Sequence, residues 1–290
     1  MTDLYPTRMP ESVRRLTIDT RSGPLAALDA RPGHGSPVRG LAVMVPGFTG
    51  SKEDFIPMLA PIMSAGFRVV CFDQRGQYES PGPPRADAYS MEAFAEDLLT
   101  VMGAVADGQA VHLLGHSFGG LVARRAVIAE QDAVRSLTLL DSGPDGSSLS
   151  RSRLLGVLGW LIRLGGPALL ATFIAGVGPR AGASADRLRW LRHRWSNTSR
   201  AGLMGMLRVL AAEPDLVAPL AATSVPVLVM FGKSDTVWPP ATQVDMARRL
   251  TAQLEIIDHA GHTPNEDQPQ VIARKLLDFW TIAGGSHGST

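Results

Sequence analysis

Short apolar runs alternate with helical patterns along most of the chain, and this alternation constrains the fold more than any other feature. An uninterrupted apolar run of about four to eight residues is typical of a strand that is buried on both faces of a parallel sheet. Parallel strands need long crossover connections, and the helical patterns between the runs supply them. We therefore predict an α/β fold with a mostly parallel, eight-stranded sheet flanked by helices. The predicted strands cover residues 13–20, 24–31, 41–45, 67–72, 111–114, 136–140, 225–231 and 253–257.

The long segment between the sixth and seventh predicted strands contains no strand pattern. Glycine and proline divide it into helix-like pieces, so we predict a helical cap over residues 145–221, inserted after the sixth strand. The core domain is then made of residues 1–144 and 222–283. Residues 284–290, which are mostly glycine and serine, are predicted to form a disordered tail.

One apolar stretch, from Leu154 to Gly178, is long enough to be considered as a membrane span. It contains Arg163 and the break Gly165-Gly166-Pro167, which together favour two short helices over one spanning helix. The first residues show no basic stretch followed by an apolar run, so no secretory signal is predicted. We expect a cytoplasmic protein without a transmembrane span.

The composition excludes two classes of function. The chain has 28 basic and 27 acidic side chains and a formal charge of +1, so it lacks the basic surplus that nucleic-acid binding requires. Its single cysteine, Cys71, excludes an intramolecular disulfide and a cysteine-based zinc cluster. We therefore expect no nucleic-acid partner and no cysteine-held metal.

The charges are nevertheless distributed unevenly. The predicted cap has ten arginines, no lysine and four acidic residues, which gives it a charge of +6, against −5 for the remainder. One interpretation is that its arginines form the solvated face of a single helix. The other is that a basic cap docks on an acidic core, or attracts an anionic substrate. The arginines concerned are Arg187, Arg189, Arg192 and Arg194.

The most informative local motif joins the strand at 111–114 to a helix predicted over 118–129. It reads Gly115-His116-Ser117-Phe118-Gly119. A strand that turns sharply into a helix forces the serine into strained backbone geometry, and small flanking residues relieve the crowding. The hydroxyl of Ser117 then stands above the sheet at the positive end of the helix. The context predicts a nucleophile, although glycine-rich turns between strands and helices are common.

A serine nucleophile needs a base, and the base needs an orienting acid. Asp235 lies in the loop after the strand at 225–231, and His262 lies in the loop after the last strand. Because the carboxyl ends of parallel strands meet at one edge of a sheet, we expect both side chains near Ser117. Asp141 also ends a strand and is an alternative acid, unless it holds the loop that enters the cap.

With these motifs, the sequence resembles the α/β-hydrolase superfamily over nearly its whole length. The resemblance implies that Ser117 is the nucleophile, that His262 acts as general base and then acid, and that Asp235 orients it. His262, unlike His259, follows the glycine of the family pattern. No metal or organic cofactor is required. The matching pieces are Val45-Pro46-Gly47-Phe48, Asp73-Gln74-Arg75-Gly76, Gly115 to Gly119, Gly232 to Asp235 and Gly261-His262.

Acyl transfer builds negative charge on the former carbonyl oxygen, which fixed backbone donors stabilise. One donor is predicted to be the N–H of Phe118, and the resemblance points to the N–H of Phe48 for the other. Many relatives have His-Gly where this chain has Pro46-Gly47. Proline has no N–H, but the donor lies two residues later, so an oxyanion hole can still form. The chain lacks the histidine that would give this loop polar support.

The apolar content of the cap predicts a hydrophobic pocket and an apolar small-molecule substrate. We predict a serine hydrolase that cleaves a small to medium apolar carboxylic ester, lactone or thioester through an acyl-enzyme on Ser117. The alternatives are acyl transfer, carbon–carbon bond cleavage or cofactor-free perhydrolysis on the same scaffold, and a ligand-binding protein without turnover. His116 is also explained by packing at the serine turn, and Tyr78 by filling a gap. The predicted substrate contacts are Phe48, Tyr78, His116, Trp160 and Trp238.

Overall fold

The computed structural model describes residues 9–146, 153–177 and 185–285. Their strands form one eight-stranded sheet in the order β1-β2-β4-β3-β5-β6-β7-β8. β1 and β2 form an antiparallel hairpin, β2 is antiparallel to β4, and all the other neighbours are parallel. The predicted mostly parallel sheet is confirmed. The strands are β1 (Val13–Thr20), β2 (Gly23–Ala30), β3 (Gly40–Val45), β4 (Phe67–Phe72), β5 (Val111–His116), β6 (Val134–Leu140), β7 (Val227–Gly232) and β8 (Gln253–Ile257).

Helices cover both faces of this sheet and create two apolar layers. In β3, Val43 belongs to one layer and its neighbour Met44 to the other, as the alternation of side chains along a strand requires. The helices are α1 (Ile56–Ser64), α2 (Met91–Val105), α3 (Phe118–Ala129), α4 (Arg153–Val177), α5 (Ala185–Ser196), α6 (Arg200–Ala212), α7 (Val217–Ala221), α8 (Pro240–Leu250), α9 (Pro264–Asp267) and α10 (Pro269–Gly285). The layer of Val43 includes residues of α2, α3 and α8, and the layer of Met44 includes residues of α1 and α10.

Between β6 and β7, the described residues form helices and no strand. Gly166 has a φ of 63° and a ψ of −159°, so α4 consists of two helical pieces that meet at a kink. The predicted break at Gly165-Gly166-Pro167 is therefore confirmed. Among the helices of the described ranges, none is long and apolar enough to cross a membrane.

Parts of the predicted cap and tail lie outside the described ranges. Residues 147–152 and 178–184, which belong to the predicted cap, lie outside them, as do residues 1–8 and 286–290. Gly284 and Gly285, assigned to the disordered tail, are instead the last residues of α10.

Side chains of α5 fasten the helical segment to the loop after β3. The guanidinium of Arg194 is buried, with 1% of its side chain exposed, and it bonds the carboxylate of Asp54. The indole Nε1 of Trp195 donates to the carbonyl oxygen of Thr49 at 3.0 Å. These contacts place α5 directly against the loop that carries Phe48.

The two interpretations of the basic segment apply to different arginines. Arg194 docks on Asp54, and Arg187 pairs with Glu266 of α9. Arg189 and Arg192 are exposed. The helical segment also docks on the core through a negative charge. The carboxylate of Glu213 accepts from two arginines of α3, Arg124 and Arg125, each at 2.9 Å. The segment is therefore held by specific ion pairs, and only part of its positive charge is solvated.

Candidate active site

Ser117 occupies the turn between β5 and α3 in a strained conformation, with a φ of 53° and a ψ of −120°. A Cβ atom on Gly115 would overlap the backbone of Gly119, and one on Gly119 would overlap the carbonyl oxygen of Val45. Only glycine fits at both positions. The crowding that the motif predicted is present on both sides of the serine.

Ser117, His262 and Asp235 form a chain of hydrogen bonds. The Nε2 atom of His262 lies 3.0 Å from Ser117 Oγ, and its Nδ1 atom lies 3.0 Å from Asp235 Oδ1. The three side chains follow β5, β8 and β7, which run in the same direction, so their carboxyl ends meet at one edge of the sheet. The serine and the aspartate are buried, and 20% of the His262 side chain is exposed.

Asp235 is held by donors on both carboxylate oxygens. Val237 N–H donates to Oδ1 at 2.8 Å, and Gln243 Nε2 donates to Oδ2 at 2.9 Å. Burial alone would raise the pKa of Asp235, but the hydrogen bond and the charge of His262 outweigh it and hold the pKa below its usual value. An ionised carboxylate only accepts hydrogen bonds, so Nδ1 of His262 carries the hydrogen and Nε2 is free to accept from Ser117.

Asp141, the alternative acid, lies in the same site. It is fully buried at the end of β6, and its Oδ1 atom accepts from Gly232 N–H at 3.1 Å. Burial and the neighbouring charge of Asp235 raise its pKa well above the usual value. Carboxylate oxygens of the two residues lie within 4.8 Å of each other. His262 bonds Asp235 and not Asp141.

The remaining histidines near the site differ in burial. His116 is buried, and its Nε2 atom lies 2.8 Å from the carbonyl oxygen of His262. Burial, followed by the charge of His262, lowers the pKa of His116 to about 4, so the ring is neutral and its Nε2 is the donor. His116 thus supports the backbone of His262. His259 is exposed and does not contact the hydrogen-bonded chain.

The loop after β3 lies against the serine. A Cβ atom on Gly47 would come within 3.2 Å of Ser117 Cβ. Within the described ranges, neither Phe48 N–H nor Phe118 N–H donates to another residue. The two predicted oxyanion donors therefore keep their hydrogen-bonding capacity, one on the loop that touches Ser117 and one at the first position of α3.

Sequence reasoning missed the side chains that support this loop. Gln74 Nε2 donates to the carbonyl oxygen of Pro46 at 2.9 Å, and Gln77 Nε2 donates to that of Gly47 at 2.7 Å. Both glutamines flank the Arg75-Gly76 turn of the motif after β4. The motif signals a turn at this position, but it does not reveal which loop the amides contact.

The predicted substrate contacts have different environments. The half-buried Phe48 packs on buried residues of α4 and α6, together with two other half-buried side chains, and we name this group the Phe48 cluster. The ring of Trp238 is fully buried 6.0 Å from that of His262. Tyr78 packs edge-on against Trp190 at 5.3 Å, so it fills the gap between core and α5. The Phe48 cluster comprises Phe48, Leu158, Ile162, Leu203, Met204 and Leu207.

The structure corrects the assignment of Trp160 to the substrate pocket. The Trp160 side chain is 60% exposed. Leu158 and Ile162, two positions before and after it on α4, pack in the Phe48 cluster. Residues two apart on a helix point to opposite sides, so Trp160 faces away from the site. On α4, Leu158 packs in the Phe48 cluster and Trp160 does not. Apolar content alone does not fix how a helix is rotated.

Comparison with known proteins gives consistent matches over most of the chain. A family model described as "Alpha/beta hydrolase family" matches residues 42–275. The "Putative carbamate hydrolase RutD" of Variovorax paradoxus is 30% identical over 255 residues, which cover 85% of this chain and 93% of that protein. A thermophilic esterase from Thermogutta terrifontis has a TM-score of 0.77 at 23% identity, over 93% of this chain and 99% of the esterase. The enol-lactonase from Burkholderia xenovorans LB400 has a TM-score of 0.76 at 20% identity, over 89% and 97% of the two chains. The two solved structures share the fold of this chain.

Proposed function

The chain belongs to the alpha/beta hydrolase family, and on that premise we propose that it is a serine hydrolase that forms an acyl-enzyme on Ser117. The observation that carries this proposal is the pair of 3.0 Å hydrogen bonds from Ser117 through His262 to Asp235. A serine hydroxyl becomes an effective nucleophile when an adjacent base takes its proton. The geometry meets that requirement.

His262 first accepts the proton of Ser117 and then returns it to the leaving group. His262 Nε2 takes the hydrogen of Ser117 as Oγ attacks the substrate carbonyl, and the imidazolium that forms is stabilised by Asp235. The same nitrogen then returns the proton to the leaving alcohol, which leaves an ester on Ser117. A water molecule, deprotonated by His262, hydrolyses this ester and releases the acid.

The negative charge of the tetrahedral intermediate needs donors beside Ser117. We assign this role to the N–H groups of Phe48 and Phe118, which make no hydrogen bond to another described residue. Phe118 N–H also lies at the positive end of α3, where negative charge is stabilised. Two fixed donors of this kind are the usual oxyanion hole of acyl transfer.

We propose that the segment over residues 145–221 is a cap that selects a small to medium apolar carboxylic ester, lactone or thioester. The Phe48 cluster supports this class, because it joins the oxyanion loop to α4 and α6 through apolar side chains only. Phe48, Leu158 and Met204 are its half-buried members and are the residues assigned to substrate contact. Tyr78 and Trp238 are assigned a supporting role behind these residues, since Tyr78 packs on Trp190 and the buried Trp238 packs on His262.

A carbamate is the second candidate substrate class. The observation that favours it is the 30% identity, over 85% of this chain, to a protein named as a carbamate hydrolase. Attack on a carbamate carbonyl uses the same serine, base and oxyanion donors, and only the group beside the carbonyl differs. Acyl transfer, carbon–carbon cleavage and perhydrolysis use the same first step, whereas a binding protein has no need of the hydrogen-bonded chain.

A matched series of chromogenic substrates tests the proposal. Acetyl, butyryl and octanoyl esters of p-nitrophenol, and a carbamate of the same alcohol, are assayed with the wild type and with Ser117→Ala. We expect ester turnover that depends on chain length and is lost in the variant. Faster turnover of the carbamate would assign the second class. Equal turnover by wild type and variant would contradict both.

A further inference from the structure

We propose that Gln77 is a positioning residue of the oxyanion hole, whose buried amide orients the peptide that carries the N–H of Phe48. This inference rests on the proposed function. It assigns the support of the oxyanion loop, which lacks the family-like histidine, to a side chain from the turn after β4.

The first step is the hydrogen bond itself. Gln77 is fully buried, and its Nε2 atom lies 2.7 Å from the carbonyl oxygen of Gly47 and 3.3 Å from that of Phe48. The carbonyl of Gly47 and the N–H of Phe48 belong to one planar, trans peptide group, in which they point in opposite directions. Fixing the oxygen of Gly47 therefore fixes the direction of Phe48 N–H.

The second step is the orientation of the amide. Gln77 Oε1 accepts from the backbone N–H of Gln74 at 3.0 Å, so the Nε2 end faces the loop. Gln74 in turn donates through its own Nε2 to Pro46 at 2.9 Å. Three successive carbonyls of the loop, from Pro46 to Phe48, thus accept from two buried glutamines.

The loop around Gly47 needs a restraint from another segment. Gly47 has no side chain to restrain its dihedral angles, and its approach to Ser117 excludes a larger residue there. An oxyanion hole works only if its donors already point at the oxygen before the reaction begins. At the other end of the loop, Trp195 holds Thr49 at 3.0 Å, but that carbonyl lies beyond the donor peptide. The carbonyl oxygen of Gly47 also accepts from the backbone N–H of Gly50 at 3.0 Å, and within the described residues Gln77 is the side chain that bonds it.

The two glutamines provide a matched pair of variants. Gln77→Met and Gln74→Met each remove one buried amide of similar size, but only Gln77 bonds the peptide that carries the donor. For Gln77→Met we expect kcat to fall about 10- to 100-fold while KM changes less than about threefold. The reason is that a misdirected N–H of Phe48 weakens the stabilisation of the oxyanion, which forms in the transition state, and leaves substrate binding unchanged. For Gln74→Met we expect a loss of a few-fold at most. Active-site titration with a fluorophosphonate corrects each kcat for the fraction of folded enzyme.

A trifluoromethyl ketone with the acyl chain of the best ester gives the second readout. Ser117 Oγ adds to its carbonyl carbon, the C=O π pair becomes the oxyanion, and His262 takes the serine proton. We expect Gln77→Met to weaken this adduct by about the same factor as kcat, with unchanged affinity for the corresponding alcohol, which forms no oxyanion. A purely structural role would leave the ratio of the two affinities as in the wild type.

Several outcomes would overturn the inference. They are wild-type kcat and ketone affinity in Gln77→Met, or equal losses in both variants. If Gln77→Met does not fold, Gln77→Leu replaces it, since its apolar side chain also lacks the donor that bonds Gly47. Wild-type activity of that variant would likewise contradict the assignment. Failure of the proposed function is distinguishable, because the wild type itself would then not be labelled by the fluorophosphonate.

Discussion

The carboxyl edge of the sheet and the helical segment between β6 and β7 are built in different ways. At the sheet edge, Ser117, Asp235 and His262 follow β5, β7 and β8 of one parallel ladder, so its backbone hydrogen bonds set their spacing. In the helical segment, side chains such as Arg194 and Trp195 set the position of whole helices against the core. Backbone ladders tolerate changes of side chain, whereas such docking depends on individual residues. In the proposed function, the sheet edge carries out the chemistry and the helical segment selects the substrate.

One loop joins the helical segment directly to Ser117. Residues 46–50 touch Ser117 through Gly47, pack on α4 and α6 through Phe48, and bond α5 through Thr49. A change in the helical segment can therefore reach the chemistry through this loop. The comparison makes different predictions for variants on its two sides.

The largest effect is expected at His262. His262→Ala removes the base that takes the serine proton, and kcat should fall by roughly 10⁴- to 10⁶-fold, as is usual for a member of such a set. Steady-state hydrolysis of the best p-nitrophenyl ester measures it. His259→Asn, three residues earlier on an exposed turn, should retain wild-type turnover. A loss of less than about 100-fold in His262→Ala would exclude the histidine as the base.

The next largest difference is expected between substitutions of the two buried acids, Asp235 and Asp141. Asp235→Asn leaves His262 with the wrong tautomer, and we expect kcat to fall by roughly 10³- to 10⁴-fold. Asp141→Asn keeps the size of the side chain and an acceptor for Gly232 N–H, so we expect a loss below about 10-fold. The same ester assay compares them. The reverse order would make Asp141 the orienting acid.

Substitution of a docked arginine of α5 should destabilise the protein more than substitution of a solvated one. Arg194→Met leaves the carboxylate of Asp54 without its buried partner, and the free energy of unfolding should fall by about 3 kcal/mol. Arg192→Met, on the exposed side of the same helix, should change it by less than about 0.5 kcal/mol. Urea denaturation followed by circular dichroism measures both. Equal values would mean that the ion pair does not hold α5 on the core.

The smallest effects are expected on the two faces of α4. Leu158→Ala removes part of the Phe48 cluster and should raise KM for the longest accepted ester about 3- to 10-fold, with little change in kcat. Trp160→Ala, on the exposed face, should change KM by less than about twofold. A larger effect of the tryptophan would return it to the substrate pocket and contradict the rotation of α4.

The features that the sequence predicted are those set by local patterns. The strands and the turn at Ser117 were predictable, because apolar periodicity and the need for Gly115 and Gly119 are local properties. Their order along parallel strands also placed Asp235 and His262 at one edge. The side chains that support these three residues from other segments were not predictable.

Contacts between distant segments account for what the sequence left open. Gln77 bonds a loop about 30 residues earlier, and Asp141 lies beside Asp235 at the ends of two neighbouring strands. The rotation of α4, which turns Trp160 outward, is decided by packing on α6. No local pattern encodes any of these three contacts, since each depends on how separate elements come together.

Covalent trapping tests the central claim, that the sheet edge makes Ser117 a nucleophile, most directly. The protein is treated with a fluorophosphonate, in which the serine oxygen replaces fluoride on phosphorus, and intact mass and peptide mapping follow. The account predicts one adduct, located on Ser117, which is absent in Ser117→Ala and strongly slowed in His262→Ala. An adduct of equal yield in Ser117→Ala, or one mapped to another residue, would contradict it.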